Sequence, residues 1–122
     1  MITKIDKNAT RLARHRRQRR NINGTEVKPR LNVYRSLNHI YAQLINDVTG
    51  TTIASASTLD KEVKAAIEGK GKKEAAFVVG QKIGERALSQ KVSHVVFDRG
   101  GYLYTGRVAQ VAEGARKAGL TF

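Results

Sequence analysis

The sequence predicts an α/β fold: an open mixed sheet of about four strands, with two packed helices and a basic N-terminal helical arm. Three strand-like segments follow one another between residues 30 and 58, and two stretches with helical periodicity occupy residues 74–90 and 106–118. A short apolar run at 94–97 lies between the two predicted helices. Because a strand reached through a helical crossover pairs parallel to an earlier strand, this order predicts a three-strand antiparallel meander plus one parallel strand.

The predicted meander consists of residues 30–36, 40–45 and 51–58. In its first strand Leu31 and Val33 alternate with polar residues, as expected of a strand with one buried face. If both helices cover that face, the opposite face carries polar and aromatic side chains: Arg30, Asn32, Tyr34, Tyr41, Gln43, Ser55 and Ser57. Tyrosines and arginines on an open sheet suit base stacking and phosphate contact, although an ordinary solvent-facing sheet is the alternative.

Residues 92–119 are predicted to form a strand, a loop and a helix. The run at 94–97 is continuous, which predicts a strand buried on both faces. Asp98 and two glycines then end the strand. From Gly106 onward apolar residues recur on one helical face, and Gly119 is well placed to end that helix.

The segment ahead of this unit contains a Lys-rich stretch and a helix. Residues 60–73 are polar and lack the spacing of a phosphate-binding loop, so they predict a mobile basic loop. Their position before a helix N-terminus leaves attraction of anions open. In the helix at 74–90, Gly80 and Gly84 lower helix propensity, which predicts a close approach of the helix to the sheet.

Charge is the most informative property of the composition. The 122 residues predict one domain, and their formal net charge is +13. Residues 1–30 carry ten basic and two acidic side chains, so a quarter of the chain holds +8 of that charge. This favours a polyanion as partner, with a membrane surface second. The chain has no cysteine, which excludes disulfides and thiolate chemistry. No apolar run approaches the roughly 20 residues of a membrane span, and the start has no apolar core of a secretory signal.

The predicted arm comprises residues 1–23. Its first half has apolar residues at helical spacing, namely Ile2, Ile5, Ala9, Leu12 and Ala13. From Arg14 onward positive charge surrounds the helix, so we expect this half to be frayed or disordered without a partner. Six arginines fall between positions 11 and 20: Arg11, Arg14, Arg16, Arg17, Arg19 and Arg20. Arginine without lysine favours bidentate phosphate contact and nucleic-acid binding, with a solvated tail or a localisation signal as alternatives.

Several stretches together carry a resemblance to a known family: the arginine-rich start, 28–36, 39–43, 54–58, 97–104, 106–108 and 119–122. In this order they resemble bacterial large-subunit ribosomal protein eighteen, the family that binds 5S ribosomal RNA. The resemblance covers essentially the whole chain. One departure is Thr105, where the family usually has histidine, and this puts an RNA contact by that side chain in doubt.

The resemblance implies a ribonuclease-H-like strand arrangement and a place in the central protuberance of the large subunit of cytoplasmic ribosomes. The implied partners are 5S rRNA, 23S rRNA and neighbouring large-subunit proteins, with no cofactor, membrane or small-molecule substrate. We expect an RNA-binding arm at 1–23 and a globular domain at 24–122. The residues expected to contact RNA are Arg11, Arg14, Arg16, Arg17, Arg19, Arg20, Arg30, Tyr34, Arg35, His39, Tyr41, Arg99, Tyr102, Tyr104 and Arg107.

Two other function classes are alternatives to a ribosomal protein. A nuclease would need several converging carboxylates, and Asp98 has no acidic partner at its strand end, so an Asp–Arg contact or a loop cap is favoured. The three histidines, His15, His39 and His94, have no metal-ligand spacing. A general nucleic-acid-compacting protein is the other alternative; it would bind duplexes indifferently, whereas a ribosomal protein would prefer one folded RNA.

Overall fold

The computed structural model describes residues 7–20, 22–102 and 104–122. Ile2 and Ile5, which the sequence assigns to the packing stripe of the arm, lie outside the described residues. The elements are α1 (Lys7–Arg19), β1 (Arg30–Arg35), β2 (Ile40–Asn46), β3 (Thr51–Ser57), α2 (Lys61–Ile67), α3 (Lys72–Ser89), β4 (Val96–Asp98) and α4 (Gly106–Ala118).

The four strands form one open mixed sheet in the order β3-β2-β1-β4. The strands β1, β2 and β3 are antiparallel neighbours, and β4 lies parallel to β1. The prediction of a meander plus one parallel strand is therefore confirmed. In this register Tyr34 is paired with Tyr41, and Asn32 is paired with Gln43 on one side and with Asp98 on the other.

The core lies between one face of the sheet and the pair α3 and α4. Leu31, Leu44, Ile83 and Val108 are fully buried there. The helices can approach closely because Gly80 has no side chain: a Cβ atom there would overlap the carbonyl oxygen of Val111 in α4. The close approach predicted from the glycines of α3 is thus directed to α4, and the prediction that it faces the sheet was wrong.

The Lys-rich segment contains a helix that the sequence analysis missed. Asp60 caps α2 by accepting a hydrogen bond from Glu62 N at 3.1 Å. The helix buries Val63 in the core, and Arg86 of α3 forms an ion pair with Asp60 at 2.5 Å. The prediction of a mobile loop over the whole of 60–73 was wrong, because one buried apolar side chain and one cap are enough to hold this short helix on α3.

The parallel strand is shorter and less buried than predicted. It spans Val96–Asp98, while His94 is exposed and only forms an isolated bridge to Thr121. Val96 and Phe97 are only partly buried, so the prediction of burial on both faces was wrong. Phe97 packs against the core, where its ring stacks on Phe122 with ring centroids 5.5 Å apart.

The helix α1 lies along the face of the sheet that α3 and α4 leave open. At one end Arg11 Nη1 and Arg14 Nε donate to the carbonyl oxygens of Gly100 and Gly101, at 3.0 and 2.9 Å. At the other end Arg19 forms an ion pair with Asp47. The sequence predicts that the second half of the arm has no face to bury, and no residue of α1 is fully buried. The helix is nevertheless held against the sheet by polar contacts, which are hydrogen bonds, ion pairs and the cation–π contacts of Arg11.

Candidate nucleic-acid interface

A buried carboxylate joins the arm to the sheet. Asp98 is completely buried, and its Oδ2 accepts hydrogen bonds from Arg30 Nη1 at 2.6 Å and Asn32 Nδ2 at 2.9 Å. The same oxygen lies 2.8 Å from His15 Nε2, and Oδ1 accepts from Gly100 N at 2.9 Å. Burial alone would raise the pKa of Asp98, but the hydrogen bonds from Gly100, His15, Asn32 and Arg30 outweigh it and lower that pKa. The carboxylate is therefore ionised and structural, as the favoured Asp–Arg interpretation expects.

A second carboxylate, Asp47, completes the attachment of the arm. Arg30 binds it in a bidentate manner, with Nε to Oδ2 at 3.0 Å and Nη2 to Oδ1 at 3.1 Å. Asp47 also accepts from Gly24 N at 2.7 Å and from Arg19 Nη1 at 3.1 Å. The hydrogen bonds from Arg30 are the main reason that the pKa of Asp47 is lowered to about 2.

These contacts bear on the prediction that Arg30 contacts RNA. Its guanidinium donates to both Asp47 and Asp98, and the residue is only 8% exposed. A phosphate could reach it only by displacing a buried carboxylate, which would leave that charge unpaired at high cost. Arg30 thus ties β1 to the arm, and its contact with RNA stays a prediction.

The arm has an inner and an outer side. The inner side is formed by Arg11, Arg14, His15, Gln18 and Arg19. There Gln18 lies against Arg99, and in the orientation that satisfies both groups its amide oxygen accepts from Arg99 Nη2 at 2.7 Å.

The outer side of the arm carries Arg16, Arg17 and Arg20, all of them exposed. Among the described residues, the ion pairs involve none of these three arginines. The outer side is thus a cationic surface to which phosphates have direct access.

A groove of about 510 Å³ separates the N-terminal half of α1 from the end of β1. We call it the arm groove; its lining residues are Lys7, Asn8, Thr10, Arg11, Arg14, Tyr34, Arg35 and Tyr102. The described residues contribute four cationic side chains and no carboxylate to its walls. A groove with this charge and with aromatic rings in its floor fits a nucleic-acid strand better than a small neutral ligand.

The two tyrosines of the arm groove have different roles. Tyr102 is only 7% exposed, and its hydroxyl donates to Arg35 O at 3.1 Å. The guanidinium groups of Arg11 and Arg35 lie 5.0 and 4.8 Å from its ring centroid, and they take up the cation–π positions over that ring. Tyr102 therefore positions two arginines at the arm groove, and its own contact with RNA stays a prediction. Tyr34, in contrast, is 49% exposed.

Beyond the arm groove the open sheet face presents a tyrosine pair. The rings of Tyr34 and Tyr41 have centroids 5.7 Å apart at an angle of 39°. Together with Asn32 and Gln43 they line a shallow cavity of about 290 Å³. Tyr104 lies elsewhere, 40% exposed, packed edge-on against Phe97 and accepting from Arg116 Nη1 at 3.1 Å.

Arg107 and His39 belong to a separate cavity of about 260 Å³ on the side of the sheet covered by α2 and α3. Three lysines, Lys64, Lys70 and Lys72, also line it, and no carboxylate of the described residues does. We call it the lysine groove. The sequence predicts a mobile loop for this Lys-rich stretch, because nothing local indicates that α2 folds back beside the β1–β2 turn.

Comparison with known proteins decides the family. The family model described as ribosomal L18 of archaea, bacteria, mitochondria and chloroplast matches residues 5–122. The chain is 57% identical to large ribosomal subunit protein uL18 of Alkaliphilus metalliredigens, 59% identical to that of Shouchella clausii and 54% identical to that of Clostridioides difficile, in each case over 100% of both chains. The chain belongs to the ribosomal L18 family.

As a member of the ribosomal L18 family, the chain is a structural protein of the large ribosomal subunit and not an enzyme. RNA binding is typical of this family. The described residues contain no cluster of His, Asp and Glu suited to a metal ion. None of their helices has the length and apolarity to span a bilayer.

The predicted RNA-contact residues fall into three groups in this ribosomal L18 fold. The arm groove and open sheet face bring together Arg11, Arg14, Arg35, Tyr34 and Tyr41. The outer side of the arm presents Arg16, Arg17 and Arg20. Arg107 and His39 lie apart in the lysine groove. The remaining predicted residues, Arg19, Arg30, Arg99 and Tyr104, contact other parts of the protein, as does Tyr102 in the floor of the arm groove.

Proposed function

We propose that the protein binds 5S rRNA and helps to attach it to 23S rRNA in the central protuberance of the large subunit. The observation that carries this proposal is the arm groove: four cationic side chains over a tyrosine floor, with no carboxylate contributed by the described residues. Membership in the ribosomal L18 family supports ribosomal RNA as the class of partner, and the arm groove supports a surface on which it would bind.

The surfaces divide the work of binding. Phosphates would bind the outer arginines of the arm and the walls of the arm groove, because charge recognition is independent of sequence. Unpaired bases would bind the exposed rings of Tyr34 and Tyr41, which offer stacking surfaces. We accordingly propose residues 1–23 as the electrostatic part and residues 24–122 as the part that discriminates between RNAs.

The lysine groove supplies a second cationic surface. It lies on the helix-covered side of the sheet, whereas the arm groove lies on the open side. One RNA segment could occupy each side at the same time. This arrangement supports a role in joining two RNA molecules, and it leaves the exposed loops free for neighbouring ribosomal proteins.

Competition binding tests the proposal. The purified protein is titrated with labelled 5S rRNA in the presence of unlabelled 5S rRNA, transfer RNA or duplex DNA at one fixed salt concentration. We expect 5S rRNA to compete best, because the proposal assigns the charged groove and the stacking face to that RNA, and duplex DNA to compete least, because its bases are paired and cannot stack on the tyrosines. Equal competition by duplex DNA would contradict the proposal and favour a general compacting protein.

A further inference from the structure

The open sheet face carries a square of four side chains. Tyr34 and Tyr41 form one cross-strand pair, and Asn32 and Gln43 form the next pair on the same face. Directly opposed residues of an antiparallel pair have Cβ atoms about 5 Å apart, and the two pairs are about 7 Å apart along the strands. All four line one cavity of about 290 Å³. A flat ring resting on the tyrosines would therefore have its edge over the two amides.

The amide of Asn32 has a defined orientation. Its Nδ2 donates to Asp98 Oδ2 at 2.9 Å, and that carboxylate is completely buried. The carbonyl oxygen Oδ1 of Asn32 must then point the other way and can only accept a hydrogen bond. Within the described part of the chain, no hydrogen bond reaches this oxygen or the exposed amide of Gln43.

Gln43 complements this fixed acceptor. Its amide offers one donor and one acceptor side by side. A base that suits the pair needs an amino group, which can donate to both carbonyl oxygens, beside a ring nitrogen that accepts from Gln43 Nε2. Adenine and cytosine have this arrangement. Uracil places a keto oxygen at that position, where it would face the acceptor of Asn32, and guanine does the same with its O6 edge.

We propose that this square is a reading site for one unstacked base, with Tyr34 and Tyr41 as the stacking platform and Asn32 and Gln43 as the edge readers, selecting adenine or cytosine over the corresponding keto bases. The proposal rests on the proposed function, since it names the RNA feature that the sheet face recognises. The guanidinium of Arg11 lies over the Tyr34 ring, 5.8 Å from its centroid, so the base would stack beside this guanidinium on the platform of Tyr34 and Tyr41.

Short single-stranded RNA oligonucleotides of equal length test the site directly. Adenosine and inosine oligonucleotides form one matched pair, and cytidine and uridine oligonucleotides form another; within each pair an amino group is exchanged for a keto oxygen. Because phosphate number is equal, the arm contributes equally to all four. We expect the amino member of each pair to bind at least about 5-fold more tightly to the wild-type protein.

Three variants separate stacking from edge reading. Gln43→Leu should lower the amino preference, because Asn32 Oδ1 alone then remains as an acceptor, and should leave affinity for uridine oligonucleotides within about 2-fold. Tyr34→Leu should weaken all four oligonucleotides by roughly 5- to 100-fold, whereas Tyr34→Phe, which keeps the ring, should bind as the wild type does. Ser55→Ala is the matched control: Ser55 is paired with Gln43 on the same face but lies outside the cavity.

Each outcome has one meaning. Equal affinity for adenosine and inosine oligonucleotides would overturn the edge-reading role of Asn32 and Gln43. Unchanged affinity in Tyr34→Leu, with the fold confirmed by thermal unfolding, would overturn the stacking platform. The competition between 5S rRNA and transfer RNA is measured on the same preparations. If the wild-type protein does not prefer 5S rRNA but still prefers the amino member of each oligonucleotide pair, the proposed function is overturned and the reading site is not.

Discussion

His15 Nε2 lies 2.8 Å from Asp98 Oδ2, although 83 positions separate the two residues. One belongs to the arm and the other ends the parallel edge strand. The same oxygen accepts from Arg30 and Asn32 of β1. A single buried carboxylate therefore holds together the arm, the edge strand and its neighbour, so the geometry of the RNA-facing surface depends on its charge.

Asp98→Asn should destabilise the protein. It should abolish no catalytic activity, because we assign this carboxylate a structural role. The substitution removes a buried negative charge and leaves Arg30 short of a partner, which costs roughly 3–5 kcal/mol in comparable buried pairs. Urea denaturation measures the change in the free energy of unfolding. The control is Glu113→Gln, whose side chain is 59% exposed and should change stability by less than about 0.5 kcal/mol. Magnesium-dependent hydrolysis of RNA by the wild type, absent from Asp98→Asn, would contradict the structural role.

Asp47 should make stability depend on pH in the acid range. Its pKa is lowered from 3.8 to about 2 in the folded protein, chiefly by the hydrogen bonds from Arg30. Because the pKa is lower in the folded state, the ionised carboxylate stabilises the fold at any pH above the pKa of the unfolded chain. That contribution is lost as pH falls from about 4 to about 2. The contribution at neutral pH is about 2 kcal/mol. Denaturant unfolding of wild type and Asp47→Asn should show a gap at pH 6 that closes towards pH 2; a constant gap would refute the assignment.

The arm should exchange amide hydrogens rapidly in the free protein and slowly on RNA. No residue of α1 is fully buried, and isolated helices of its length are marginal in water. The outer arginines repel one another until phosphates neutralise them. Hydrogen exchange at residues 10–22 measures this, with α4 as the protected internal reference. Strong protection of the free arm would mean that the contacts to Asp47 and Asp98 suffice by themselves.

The outer arginines should contribute affinity without discrimination. In the triple variant Arg16→Gln, Arg17→Gln, Arg20→Gln, the log–log salt slope of RNA binding should flatten by about 2 to 3 units, at roughly 0.7 to 0.9 per lost phosphate contact. The preference for 5S rRNA over transfer RNA should largely survive. The control Lys117→Gln changes one exposed charge at the far end of α4 and should barely alter the slope.

Arg99→Ala combined with Arg107→Ala should have the opposite effect. Arg99 contacts Gln18 of the arm and Arg107 lines the lysine groove, so their loss alters the shape of the surface more than its total charge. We expect the preference for 5S rRNA to fall more than the salt slope. If the triple variant loses the preference and this double variant keeps it, the two roles have been assigned in reverse.

The type of partner was predictable from the sequence, but the residues that are accessible to it were not. The arginines of positions 11–20 identify a polyanion partner, since charge density is a property of the sequence itself. Which arginines are available is a different question. Arg30 and Arg16 have the same chemistry, yet Arg30 is bound between Asp47, 17 positions away, and Asp98, 68 positions away. Tyr102 and Tyr34 differ in the same way, because the backbone of Arg35 occupies the hydroxyl of Tyr102.

The sequence by itself determined the fold class, the antiparallel meander with one added parallel strand, and the family, because apolar periodicity and motif order are carried by residues close together in the chain. Only the tertiary structure decided that α2 folds, that the arm has a packed side, and which cations and rings face solvent. These depend on pairs such as His15 with Asp98, and no local pattern encodes a hydrogen bond between residues 83 positions apart. The physical reason is that burial and pairing of a polar group are set by the whole fold, whereas its charge and its secondary-structure preference are set by its own chemistry and its near neighbours.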